Sequence, residues 1–254
     1  MERETKIKII GTGIFIILLL GFTYLVYHSN EENKNNTIES VKVTGNNLLS
    51  EMEYLNFTRL KDISSKNKFS LPIIKSRFEK HPYVHQADVK FINQKEVRVY
   101  LTEKKIYGLI IQDGEALFAS EDFELLPVLQ NTKVVDVCVL SNLDEKNLKP
   151  LRKLKGKDIL QAYKIIDAAS LTNNKMLQDL SEINLRYGGD VMLTFSGLVL
   201  PVIFGRNNEA EKLVCLEALL NNNSINSNLL ADGDYIDLRF YYDIYIGKTQ
   251  RVEL

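Results

Sequence analysis

LPIIKSRFEKHPYVHQADVKFINQKEVRVYLTE, residues 71–103, changes its hydrophobic period partway along, and that change decides the fold. Ile73, Ile74, Arg77 and Phe78 follow helical spacing, Pro72 sits where a helix tolerates proline, and Pro82 marks where the helix must stop. Beyond Pro82 the period drops to two. Val89 and Phe91 share one face of a first strand, and Val97, Val99 and Leu101 share one face of a second. Asn93 and Gln94 supply the turn between them.

Upstream, Val41 and Val43 alternate with polar residues before Gly45 and Asn46, which reads as a strand closed by a turn. LLSEMEYLNFTRL then reads as a short helix, with Ser50 as N-cap and Glu53 as its capping-box partner. The order β-α-α-β-β predicts a small sheet covered by two helices over residues 38–105.

From Ile106 to Leu254 the pattern is strand-rich. Asp113-Gly114, Gly188-Gly189 and Ser196-Gly197 each separate two apolar runs as a hairpin connection would, so an antiparallel meander is expected. VVDVCVLS adds a strand, and DYIDLRFYYDIYIG adds one or two at the end. Two helical stripes interrupt the strands: Ile159, Tyr163, Ile166 and Ala169 in one, and Leu213, Leu216, Leu219 and Leu220 in the other. The expected class is α+β, with an antiparallel β-rich domain carrying helices on one side.

The N-terminal end belongs to a different solvent. IIGTGIFIILLLGFTYLVY, Ile9–Tyr27, is free of charge and close to the roughly 20 residues a helix needs to span a bilayer. Arg3, Lys6 and Lys8 precede it and Glu31 and Glu32 follow, so the N-terminus is expected in the cytoplasm and the rest outside. Tyr27, His28 and Ser29 offer no small-x-small cleavage site, which favours an uncleaved anchor over a signal peptide or a buried core helix. The expected division is a cytoplasmic tail over 1–8, an anchor over 9–28 and a polar linker over 29–37.

Composition narrows the function classes. The chain of 254 residues has 32 Lys+Arg against 33 Asp+Glu and a net charge of -1, which supplies no basic field for nucleic acid. Cys138 and Cys215 lie in apolar stretches; two thiols outside the cell could pair, but small buried hydrophobes are the simpler reading. His81 and His85 flank a tight turn without a third ligand, so no metal is expected. No nucleophile elbow, phosphate loop or His-Glu-x-x-His stretch is present, so neither a catalytic site nor a cofactor is expected. The Asn-x-Ser/Thr tripeptides at Asn35, Asn56 and Asn222 are chance-level in an Asn-rich chain.

The C-terminal segment offers backbone chemistry instead. Read as one strand, DYIDLRFYYDIYIGK puts Ile236, Leu238 and Phe240 on one face and Asp237, Arg239 and Tyr241 on the other. A strand so late in a meander is a natural sheet edge, and unpaired edge groups template a partner strand. The competing reading leaves Phe240 and Tyr242 as ordinary core side chains.

These pieces resemble the bacterial cell-division family FtsQ, called DivIB in Gram-positive organisms. SVKVTGN, FEKHPYVHQADVKF and EVRVYLTEKK resemble its POTRA domain. QDGEALFASEDFELLPVL, VIFGRNNEAEKLVCLEALL and YIDLRF with the later Gly247 resemble its second domain. Asn93-Gln94-Lys95 stands where the family often has Trp-Pro, Lys105-Ile106 where a proline often follows the glutamate, and Lys248 where an aromatic follows the last glycine. The resemblance implies a non-enzymatic divisome scaffold at the septum that recruits the FtsB/FtsL pair by strand addition to its last strand. By motif position it assigns that contact to Arg239, Phe240 and Tyr242, with Arg239 suited to pair a partner carboxylate. The rival expectations are a POTRA-bearing transport or outer-membrane assembly factor, which needs a barrel or repeats not visible here, and an extracytoplasmic hydrolase.

Overall fold

The computed structural model describes residues 13–26, 38–61, 69–112, 114–145, 148–221, 230, 232–240 and 243–248. Residues 13–26 form helix α1, whose side chains from Ile14 to Val26 are exposed. Among the described residues no helix is long and apolar enough to cross a membrane. Residues 9–12 and Tyr27 of the apolar run, the tail 1–8 and the linker 29–37 lie outside the described residues.

The folded part divides into two compact units. In the first, β1 (Ser40–Thr44), α2 (Glu51–Thr58), α3 (Leu71–Glu79), β2 (Val84–Phe91) and β3 (Glu96–Glu103) follow the predicted order. The sheet order is β1-β3-β2, with β1 parallel to β3 from Ser40↔Glu96 to Thr44↔Tyr100. Val41, Val43, Val97 and Val99 bury one face of it, together with Tyr54 of α2 and Ile74 and Phe78 of α3. Ile73 is exposed, so the buried stripe of α3 is narrower than its spacing suggested.

The β2–β3 turn closes through Asn93, whose Oδ1 accepts the backbone N–H groups of Lys95 and Glu96 at 2.9 Å each. Gly45 leaves β1 at φ +83, and a Cβ there would strike the Leu101 carbonyl oxygen.

The second unit holds a nine-stranded sheet of order β12-β11-β10-β9-β8-β7-β4-β5-β6. Its strands are β4 (Ile106–Gln112), β5 (Glu115–Ser120), β6 (Leu125–Pro127), β7 (Val139–Ser141), β8 (Leu180–Asn184), β9 (Met192–Phe195), β10 (Val202–Ile203), β11 (Tyr235–Asp237) and β12 (Tyr245–Gly247). Helices α4 (Lys157–Thr172), α5 (Asn174–Asp179) and α6 (Glu209–Asn221) contribute buried side chains to the same apolar core.

The expected all-antiparallel meander is corrected: β4–β7, β7–β8 and β10–β11 are parallel pairs. Two of the three parallel pairs are joined through helices, β7 to β8 by α4 and α5 and β10 to β11 by α6. Parallel neighbours require a crossover of about a dozen residues, and an amphipathic helix both supplies that length and covers the sheet. The hairpins expected at Asp113-Gly114, Gly188-Gly189 and Ser196-Gly197 do join antiparallel pairs.

One row of side chains ties the sheet to its helices. Leu117, Ile110, Leu140, Ile183, Leu193, Val202, Ile236 and Ile246 are successive cross-strand partners from β5 to β12. All are buried except the last, Ile246, which is half-buried at the sheet's end. Because side chains in a strand alternate between faces, keeping this row in register puts one continuous line of apolar side chains into the core that the helices share. Cys138 is buried and Cys215 half-buried, both as free thiols, and burial pushes the Cys138 thiol up to about 12.

Candidate partner-binding edge

The C-terminal segment is two strands rather than one. β11 stops at Asp237 and pairs on both sides, parallel with β10 and antiparallel with β12. The edge of the sheet is therefore β12, and YIDLRF does not itself form it. Leu238 continues the pairing by donating its N–H to the Ile203 carbonyl at 2.9 Å, and then the chain turns away. Ile236 and Leu238, expected on one face with Phe240, are buried, whereas Phe240 is 52% exposed, because the strand has ended before alternation reaches it.

What ends β11 is a carboxylate. The Asp237 side chain accepts the backbone N–H of Arg239 at 3.0 Å, two residues on, which bends the chain in the manner of an Asx turn. It also receives the Arg239 guanidinium, with Nε at 3.0 and 3.1 Å and Nη2 at 2.6 Å. Arg239 Nη1 reaches Asp190, just before β9, at 2.9 Å. Burial would raise the Asp237 carboxyl, but the hydrogen bonds from Arg239 outweigh it and hold that carboxyl below its ordinary range. Asp237 and Asp190 in turn raise the Arg239 guanidinium. Nearby, burial lowers Lys212, whose Nζ donates to the carbonyls of Phe204 and Arg206.

On β12, Tyr245 is 50% exposed, and its ring meets the Phe240 ring edge-on at 4.8 Å. Tyr235 lies across Gly247 so closely that a Cβ on Gly247 would clash with the hydroxyl end of its ring. A shallow groove lined by Lys212 and Cys215 of α6 with Leu238, Phe240 and Ile244 runs along this end of the sheet. Among the described residues no strand lies on the outer side of β12, and aromatic and aliphatic side chains flank it.

Of the three residues assigned from the sequence, the structure brings Phe240 against the edge strand and ties Arg239 into two of the chain's own carboxylates. Tyr242 lies outside the described residues. Sequence reasoning missed Asp190 as part of this end of the molecule, and missed that Asp237 ends its strand by turning the chain. An acidic residue two positions before an arginine was a legible signal for a local turn; Asp190, 49 positions from Arg239, carried none.

Residues 99–239, more than half of the chain, match the family described as cell division protein FtsQ/DivIB, C-terminal. The chain belongs to this family. FtsQ/DivIB is a family of non-enzymatic division scaffolds, so the chain has a cell-division role. No curated protein matches the sequence.

Among the described residues no three or more His, Cys, Asp or Glu side chains gather as metal ligands. His81 is buried between the rings of Tyr54 and Phe57, at 4.6 and 4.4 Å, and His85 stands 3.7 Å from Asp122 on the surface.

Proposed function

We propose that this FtsQ/DivIB-family chain is a bitopic divisome scaffold that captures an FtsB/FtsL-type membrane partner by strand addition at β12. Ile9–Tyr27 is its single membrane anchor, with the N-terminus in the cytoplasm and the folded part outside, concentrated at the division septum. Residues 38–105 serve as a POTRA-like unit that docks other membrane division proteins, and residues 106–254 carry the capturing edge. Septal peptidoglycan synthesis proteins are further partners of the same assembly.

The observation that carries this reading is the position of β12: it ends the sheet order, with a strand neighbour on one side only among the described residues. A strand laid on it gains main-chain hydrogen bonds there, and the surrounding aromatic and aliphatic side chains select among strands. Strand addition needs no catalytic group, which suits a chain without a nucleophile or metal motif.

The test is removal of the chain from Asp243 onward in the membrane-anchored protein, which spares β11 and the buried Ile236 and Leu238. Partner co-purification and midcell recruitment of the partner should be lost, while the shortened chain stays in the membrane fraction and keeps a cooperative melting transition. Undiminished co-purification from the shortened chain sinks the proposal.

A further inference from the structure

Resting on strand addition at β12, we infer that Arg239 is a positioning residue: with Asp190 and Asp237 it forms an ion-paired clasp that fixes the exit of β11 and holds the β12 edge ready for a strand. The family resemblance would have Arg239 pair a carboxylate of the partner. In the structure each of its three guanidinium nitrogens already donates to a carboxylate of its own chain, at 2.6 to 3.1 Å.

The clasp joins three separate segments. Asp190 stands before β9, Asp237 ends β11, and the aliphatic stem of Arg239 lies over Gly205 in the turn between β10 and α6. Gly205 adopts φ +68, and a Cβ there would come within 2.8 Å of Arg239 Cγ, so the turn is shaped to accept that stem. Asp237 is only 4% exposed, so the carboxylate side of the clasp is buried while the Arg239 side chain stays partly open to water. The next residue, Phe240, is thereby delivered against Tyr245 of β12. A three-residue edge strand has few hydrogen bonds of its own, so its order depends on what holds the chain on either side of it. Holding it in place beforehand removes an ordering cost from strand capture.

Direct contact and positioning predict opposite signs for Asp190→Asn, because that change frees a guanidinium N–H while leaving Arg239 and its Asp237 pairing intact. The experiment uses the full chain and the FtsB/FtsL-type partner from the same cell, with Asp190→Asn and Arg239→Lys as variants. Capture should weaken about three- to fivefold in both, the scale of one ion pair with half-exposed partners. Amide exchange at Tyr245–Gly247 in the partner-free protein should rise in parallel, and Arg239→Lys should not rescue it, since lysine keeps the charge but loses the fork.

Equal or stronger capture by Asp190→Asn, with unchanged exchange at β12, would overturn the inference in favour of direct contact. If the partner fails to protect β12 amides in the unmodified chain, strand addition itself is refuted, while exchange in the free protein still reports whether the clasp orders the edge.

Discussion

The two ends of the nine-stranded sheet are treated in opposite ways. At the β6 end the chain wraps its own edge: Leu125 donates to the Arg152 carbonyl at 2.9 Å, Leu151 donates back to the Leu125 carbonyl at 2.7 Å, and Glu124 bridges Lys153. Pro127 removes a donor from the same strand, and the Tyr83 hydroxyl ties down the segment that follows, through Pro127, Leu129 and Thr132. At the β12 end a three-residue strand carries no neighbour on its outer side among the described residues. An exposed edge is an aggregation hazard that proteins normally blunt. The chain closes one edge with its own backbone and, among the described residues, leaves the other short, aromatic and clasped from behind; under the strand addition proposed at β12, protection and recruitment fall at opposite ends of the sheet.

The sharpest way to break that contrast is to open the closed end. Leu151 is 57% exposed at φ +63, so its side chain holds no core together, but its N–H completes the wrap over β6. Leu151→Pro removes the donor and demands a φ that proline forces negative, which should cost on the order of 3 kcal/mol. The chemical-denaturation midpoint should fall and the chain should self-associate through β6 in sedimentation experiments. A monomeric variant of unchanged stability would mean that the wrap does not guard this edge.

Next in size is Gly247→Ala at the open end. The added methyl group collides with the Tyr235 ring, an overpacking cost of about 1–3 kcal/mol confined to the β11–β12 pair. Amide exchange should accelerate at residues 235–237 and 245–247 while the β4–β6 region stays protected, and partner capture should weaken. Equal loss of protection at both ends would show that the edges are not energetically separate.

The smallest effect is that of acid. Arg239 holds the Asp237 carboxyl below its ordinary value of 3.8, so this interaction contributes stability that is full above that value and drains away as pH falls through the lower folded-state value. Between pH 5 and well below 4, hydrogen exchange at Tyr245–Gly247 should rise ahead of exchange at Leu125–Pro127. Asp237→Asn should flatten that dependence, and an unaltered profile in the variant would assign the acid sensitivity to other carboxylates.

How much of this was legible depended on the range of the interaction. Val97, Val99 and Leu101 announced β3, and Ile159, Tyr163, Ile166 and Ala169 announced the buried face of α4, because each pattern is written in consecutive turns or alternations. The hairpin at Asp113-Gly114 was visible because its geometry demands those residue types. The parallel pairing of β7 with β4 and β8 was not, since nothing in VVDVCVLS specifies which neighbour it meets. Alternation makes DYIDLRFYYDIYIGK one late edge strand, whereas YIDLRF holds an interior strand and a turn, because the Asp237 carboxylate engages Arg239. A local hydrogen bond from an Asp side chain competes with continued pairing, and alternation of apolar residues does not register that competition.

What the sequence alone determined about this protein is its local grammar: the apolar run at Ile9–Tyr27, the β-α-α-β-β order, the helical stripes and the turn residues, each dictated by period and backbone chemistry within a few positions. Tertiary structure alone decided which strand ends the sheet, which edge the chain closes for itself, and where Arg239 places its charge. Those outcomes rest on pairs such as Arg239 with Asp190 and Leu125 with Arg152, which are far apart along the chain or set by packing, and meet only once the core row from Leu117 to Ile246 has brought the strands into register.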